Sequence, residues 1–475
     1  MASVSSRATG SFQYVLPILL LLALVLRLGW AVSRPVNAAS IDALPDQREY
    51  LSIAQNLLKG NGFEFIDPRF NQTVRAFRTP GYPLFLAICG ANIRAARAVQ
   101  AVIDTSTVLA VFLLARAIGL WNCASAPSPG TPGEGWGEGS RGQASNWTHT
   151  PALQNPHPNP LPEYRERGRA AALIAAGLIA LNPYLIYFTG LLLSETLFTA
   201  MLLWAMVLLV QPSMLRRFGG LLILALSVPV RPSAILLPVF LGILSAFVNR
   251  LNPPAYQGAP SAPVVRPYRC GSPLWVGLCA AGMILLTLLP WAVRNHDVLN
   301  RWIWLDTNSG FTLYDAYNPG ATGASSQSFM LGEAELQKLN EVDRSQYLAR
   351  KAMDYVRKHP GRAIQLMGAK LLRTWSPIPL SSEYGKPALR LIALAYSVPF
   401  YILVLAGLFR AKLPRSAKVF LLAPAIYLSV VHALTIGSLR YRVPAEPPLA
   451  VIAGGMVVAC CGADKFSCWL VRKPE

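Results

Sequence analysis

Charge is what this chain has least of. Only 14% of its 475 residues are Asp, Glu, Lys or Arg, and 53% are hydrophobic. A soluble domain carries about 25% charge, so an ordinary soluble globular protein is excluded. Acid is scarcer than base, with 23 Asp and Glu against 43 Lys and Arg and a net charge of +20. The basic residues are scattered between apolar runs, with no basic stripe and no nucleic-acid motif, so no nucleic-acid partner is expected. Basic cytoplasmic loops between membrane spans account for them instead. The seven cysteines, Cys89, Cys123, Cys270, Cys279, Cys460, Cys461 and Cys468, show neither zinc spacing nor a disulfide framework. They read as small apolar residues. No dinucleotide fingerprint, phosphate loop or serine elbow occurs, and no ligand cluster calls for a metal or cofactor.

Long apolar runs are what the chain has in plenty. A run of about 20 apolar residues crosses a hydrocarbon core of about 30 Å. The first such run, 13–33, reads as an uncleaved anchor, because it is long and no small-residue cleavage site follows it. Arg27 inside it is expected to face the bundle or to snorkel. Further spans are expected at 95–118, 170–187, 190–211, 219–231, 232–249, 273–292, 389–409, 417–436 and 443–463, ten in all with the first. The expected fold class is therefore an all-α polytopic membrane protein.

Five regions follow: 1–121 with two spans and an outer loop at 34–94, an insertion at 122–168, spans three to seven at 169–292, an extracytoplasmic region at 293–388, and spans eight to ten with a tail at 389–475. The insertion is rich in Pro and Gly without hydrophobic period, and reads as a disordered cytoplasmic loop. With the N-terminus inside, the insertion, Arg216 and Arg217, the 250–270 loop, residues 410–418 and the tail all fall inside. All are basic or contain basic clusters, as the positive-inside rule requires. The loop carrying Asp46, the 293–388 region and Arg440 to Arg442 then fall outside together.

The outer loop holds most of the chemistry. Residues 47–59 predict a short amphipathic helix with Tyr50, Leu51, Ile53, Ala54, Leu57 and Leu58 on one face. It is too short and polar to span, so it lies in the interface plane. An irregular piece follows, then a second juxtamembrane helix at 81–90. In 293–388, helices are expected at 344–358, with Leu348, Ala352, Tyr355 and Val356 on one face, and at 361–374, with Ile364, Met367 and Leu371 on one face.

Asp46 opens the interfacial helix, where a carboxylate either activates a hydroxyl or stabilises the helix dipole; Asp42 is its nearest rival. Arg78 stands beside a rigid Pro-containing turn and can clamp a phosphate bidentately, or contact headgroups. Glu195 is an acid near a span end, a functional candidate by default or a partner of Arg231. Arg440 and Arg442 can neutralise phosphate in the same layer, or anchor the interface. Tyr50, Tyr82, Arg231 and Arg294 are supporting candidates.

In order along the chain, DQREYLSIAQNLLKGNGF, RTPGYPLFLA, NPYLIYFTGLLLSETLF, VRPSAILLP, PWAVRN and LRYRVPAEPPLAVIAGG resemble the GT-C superfamily of polytopic glycosyltransferases. The likeness is to the branch related to protein O-mannosyltransferases and lipid A aminoarabinose transferases. It implies transfer of a sugar, with inversion, from a polyprenyl-phosphate donor to a cell-envelope acceptor (lipid, glycan or protein), on the outer face of a bacterial inner membrane. It implies Asp46 as the first-loop acid, Arg78 as the contact to the donor phosphate, and Glu195 as the acid after the third span. Asp46-Gln47 departs from the adjacent Asp-Glu pair of the O-mannosyltransferases. The rival class is a transporter or lipid-linked-sugar flippase, which calls for paired discontinuous helices and an internal repeat.

Overall fold

The structure, a computed structural model, describes residues 5–124, 162–251, 272–326, 334–380 and 387–461. Its order is α1 (Ser5–Ser33), α2 (Ala38–Asp42), α3 (Pro45–Leu58), β1 (Phe65–Asp67), β2 (Gln72–Val74), α4 (Gly81–Ile88), α5 (Ile93–Ala124), α6 (Pro162–Ala180), α7 (Pro183–Thr189), α8 (Glu195–Leu209) and α9 (Met214–Ser227). Then come α10 (Leu237–Leu251), α11 (Pro273–Leu299), α12 (Ser309–Ala316), α13 (Ala334–Lys338), α14 (Glu341–Lys358), α15 (Pro360–Thr374), α16 (Pro387–Arg410), α17 (Arg415–Leu434) and α18 (Glu446–Cys461). The chain is an all-α polytopic membrane protein. Among the described residues, seven helices are long and apolar enough to cross a membrane, or eight if the bent pair α6–α7 is one span. The expected spans at 190–211 and 219–231 are the shorter α8 and α9, of 15 and 14 residues.

The bend between α6 and α7, 49°, has a local cause. Pro183 cannot continue the i→i−4 ladder, and the Asn182 side chain accepts from the amides of Tyr184 and Leu185 to start a new helix. The carbonyls freed at the end of α6 are answered from α1. Arg27 donates to Ala180 O at 2.9 Å and Ile179 O at 3.0 Å, and its Nε pairs with Asp104 of α5 at 2.5 Å. Arg27 therefore faces the bundle, wholly buried. It is the polar knot on which α1, α5 and α6 meet.

One large core fills the helix bundle. A second core, containing Phe63, Phe65, Phe77, Phe311, Leu348 and Leu366, lies under the α12–α15 region and reaches α3 and the hairpin. The hairpin corrects the irregular piece expected after α3: β1 and β2 pair antiparallel, Phe65 opposite Val74. Strands of three residues are too short to show a period of two. On α14, Leu348 and Ala352 are buried as expected. On α15, Ala363, Leu366, Lys370 and Thr374 point inward, while Ile364, 69% exposed, and Leu371, 37% exposed, both of the expected apolar face, point outward with Leu372. A helix lying on lipid turns its bulkier apolar side chains outward in this way.

The bounds of the insertion also shift. Its core, 125–161, lies outside the described residues, and α6 already begins at Pro162. The helices flanking it pack along one another. A methyl group built on Gly119 would sit 3.8 Å from the Cα of Gly168.

Candidate functional site

α3 starts with Pro45 at its first position, where the missing amide costs nothing. Asp46 and Glu49 follow at a spacing of three, which puts both carboxylates over the same turn. Gly60, with φ +81°, turns the chain away after α3, and the hairpin brings it back to Arg78. Gly81 begins α4 against the backbone of Val230, where any Cβ would lie 2.7 Å from the Val230 amide nitrogen. The Gly81 amide donates to Pro229 O at 2.9 Å. This contact sets Arg78 and Arg231 in one layer.

There the side chains alternate in sign. Arg78 donates from Nε to Glu49 at 2.7 Å and from Nη2 to Asp46 at 2.5 Å. Arg440 donates from Nη1 to the other Asp46 oxygen at 3.0 Å and from Nε to Glu195 at 2.5 Å. Arg231 lies 3.4 Å from the same Glu195 oxygen. The run Glu49, Arg78, Asp46, Arg440, Glu195, Arg231 thus joins stretches separated by as much as 394 positions. Arg69 extends it, 3.7 Å from Glu49 and paired with Asp67 at 2.7 Å. Aromatic faces support the cations: Tyr50 lies 5.3 Å under Arg78, and Tyr441 lies 5.2 Å from Arg231 and 5.5 Å from Arg440. Tyr82 stands edge-on to Tyr50 at 4.9 Å and donates to Gln100 at 2.5 Å.

Four sequence candidates therefore meet here (Asp46, Arg78, Glu195 and Arg440), with Arg231, Tyr50 and Tyr82 around them. Two do not. Arg442 is wholly buried elsewhere: it pairs with Glu446 at 2.8 Å, donates to the Ser376 carbonyl, and lies 4.8 Å over Tyr184. It is a structural knot between α16 and α18. Arg294 holds the loop backbone instead, donating to Arg75 O at 2.6 Å and Phe63 O at 2.9 Å. Asp42, the rival to Asp46, is exposed and 3.9 Å from Arg48. No group of three or more His, Cys, Asp or Glu positioned to hold a metal ion occurs among the described residues.

The electrostatics separate the carboxylates. Burial pushes the Asp46 carboxyl up, but the charges and hydrogen bonds of Arg78 and Arg440 outweigh it and hold it well below the usual carboxylate range. Glu49 is pushed up, by burial first and then by the neighbouring Asp46 charge, against Arg78. Burial raises the Tyr50 hydroxyl to about 12, so it stays neutral. Arg78 is raised well above its usual value by Asp46 and Glu49, against the opposing effect of burial.

Three groups beside this layer were not singled out from sequence. Glu49 was legible from its spacing to Asp46. Arg373 and Asp306 carry no local signal. Arg373 and Arg440 both line a groove of about 100 Å³ whose other walls include Tyr187, Phe188, Leu389 and Ile392. No protein-family model and no curated protein matches the chain.

Proposed function

We propose that this chain is a membrane glycosyltransferase of GT-C type that moves a sugar from a polyprenyl-phosphate donor to a cell-envelope acceptor, with inversion. The observation that carries this is the juxtaposition of the apolar groove with the alternating charge layer: Arg440 belongs to both. An isoprenoid tail suits aromatic and aliphatic walls, and its phosphate suits arginines at the groove's end. Asp46 and Glu49 take Nε and Nη2 of Arg78, leaving Nη1 for a phosphate oxygen. As the bond to the sugar breaks, negative charge grows on the phosphate, and guanidinium groups already fixed by carboxylates stabilise it without reorganising. Asp46, held ionised between two arginines, is the group that positions them.

In this proposal the ten spans are α1, α5, the bent pair α6–α7, α8, α9, α10, α11, α16, α17 and α18. The charge layer and the α12–α15 region then face the periplasm of a bacterial inner membrane, and Arg216 and residues 410–418 face the cytoplasm. A transporter or flippase builds its site from paired discontinuous helices, whereas one bent pair occurs among the described residues. The experiment is sugar transfer by purified full-length protein from radiolabelled polyprenyl-phosphate hexoses and pentoses into membranes of a deletion strain. Label in an envelope product is expected. Donor translocation across vesicles without transfer would favour the flippase.

A further inference from the structure

Arginines taken out of water in the bundle are answered by acids: Arg27 by Asp104, Arg231 by Glu195 and Arg442 by Glu446. Two arginines that share one end of the first two spans are not. Arg34 directly follows α1, and Arg97 stands near the start of α5. Neither is paired with a carboxylate among the described residues. Arg97 is 3% exposed, and its Nη1 caps the end of α1, donating to Arg34 O at 3.1 Å and Pro35 O at 3.0 Å. Arg34, of like sign, and the Tyr82 hydroxyl are the titratable groups that act on it. The Nε atoms of both arginines are enclosed and meet no acceptor. Buried donors without partners call for an explanation, and an unmatched pair of cations attracts an anion.

Arg34 is held in place rather than loosely extended. Its guanidinium lies 3.8 Å over the Trp30 ring, and Trp30 is itself fixed by donating to Tyr187 O at 3.1 Å. Gly190, the C-cap of α7, leaves the room for this stack: a Cβ there would fall 2.8 Å from Arg34 Cγ and 3.0 Å from Trp30 Nε1. The residue is half-buried, and its outer edge is open, where Nη2 makes a long contact of 3.4 Å to the exposed Ser33 hydroxyl. A ligand therefore reaches Arg34 directly, while Arg97 stands behind it.

The membrane is the source of the anion. α1 exposes Val25 and Val32, and α5 exposes Val99 and Val102, apolar side chains that a spanning helix turns to lipid tails. Both arginines stand where these spans end, at the depth of headgroups, with Trp30 as an interfacial ring beside them. We infer that Arg34, backed by Arg97, binds the phosphate of a membrane phospholipid of net negative charge. Arg34 holds the phosphate through its open edge in charge-assisted hydrogen bonds. Arg97 adds its charge and, through the carbonyls of residues 34 and 35, fixes the backbone that carries Arg34. A zwitterionic lipid has the same phosphate but brings its own cation, which two unmatched guanidinium groups disfavour. The inference is independent of the glycosyltransferase proposal.

The test uses full-length protein in neutral detergent, with mixed micelles carrying phosphatidylglycerol or phosphatidylcholine, or with inorganic phosphate at the same concentration. Phosphatidylglycerol should raise the wild-type Tm in a concentration-dependent way, and the other two additions should not. Arg34→Gln should lose most of that rise. Arg34→Lys should keep part of it, because an ammonium lacks the planar fork. Arg94→Gln, at an exposed arginine on the same helix as Arg97, should keep all of it. Each comparison is between additions to one variant, so a change in basal stability cancels. Native mass spectrometry of wild type with both lipids in equal amounts needs no variant: one phosphatidylglycerol should stay bound at collision energies that strip phosphatidylcholine. Equal retention or equal Tm shifts for the two lipids overturn the inference. A rise of the same size with inorganic phosphate moves the site to a soluble anion and overturns the lipid assignment. Equal losses in Arg94→Gln and Arg34→Gln mean diffuse attraction to headgroups and also overturn it.

Discussion

Asp46 and Arg78 are held by reciprocal charge, and that makes their substitutions separable. Asp46→Asn would leave Arg78 and Arg440 facing one another with like charge and one fewer acceptor. Its folded-state value is depressed, so its contribution to stability is fully present above the unfolded value of about 4 and is lost only as pH falls below it. The expected result is a lower Tm for Asp46→Asn than for wild type, with a gap that stays constant from pH 5 to 8, read by thermal unfolding in detergent. Combining it with Arg440→Gln should recover part of that loss, because the unpaired cation goes too. Transfer should fall, since the arginines proposed to hold the donor phosphate are misplaced. Asp306 has the opposite sign: raised to about 6, it makes wild-type stability decline as pH rises from about 4 to 6 and then level off. Arg78→Lys should restore only part of what Arg78→Ala loses in transfer, because an ammonium cannot hold Asp46, Glu49 and a phosphate in one planar fork.

Among the elements, the break between α6 and α7 is the most exposed to a single change. Arg27 carries two helix-end carbonyls and one buried carboxylate at once. Arg27→Ala strands Asp104 in the span, and breaking one side of a buried pair costs about 3–5 kcal/mol. Replacing both, Arg27→Met with Asp104→Leu, should cost less than Arg27→Ala, a difference visible in SDS- or urea-induced unfolding. A second close approach lies at Gly454 of α18, where a Cβ would fall 2.4 Å from Ala171 O on α6. Gly454→Val should separate the two helices and lower Tm, whereas the same change at Gly282, with nothing within 4 Å, should be tolerated. The elements also show how far local pattern reaches. The α1, α3, α5 and α14 helices follow from apolar period and length. The turn at Asn182-Pro183 carries a breaker signal, yet the apolar run on both sides reads as one straight span. Which way the apolar face of α15 turns was not legible: its opposite face packs towards α17, and its outer surface carries Ile364 and Leu372.

At the scale of the molecule, the insertion joins two helices that already touch. Replacing 125–161 by a short Gly-Ser linker should leave membrane insertion, Tm and transfer near wild type. Loss of insertion would mean that the segment helps to set topology. Single cysteines at Gln365 and Arg216, in a chain with its native cysteines replaced, should be labelled from opposite membrane faces. Labelling from the same face overturns the ten-span arrangement.

Sequence by itself determined that the chain is helical and polytopic, because hydrocarbon tolerates only long apolar segments with their backbone groups paired internally. It also marked Asp46, Arg78, Glu195 and Arg440, since charge beside such segments is rare enough to stand out. Only the tertiary structure decided which charges meet. Arg440 and Arg442 are two residues apart, but the short 3-10 turn between them sends the first to Asp46 and Glu195 and the second into a buried pair with Glu446. Asp306 has no pattern of its own in sequence; the turn that carries it is held by the Thr307 to Ala76 backbone bond and by Trp291, which donates to Leu305 O. Pairings across hundreds of positions are set by how the helices pack, and no local spacing encodes them.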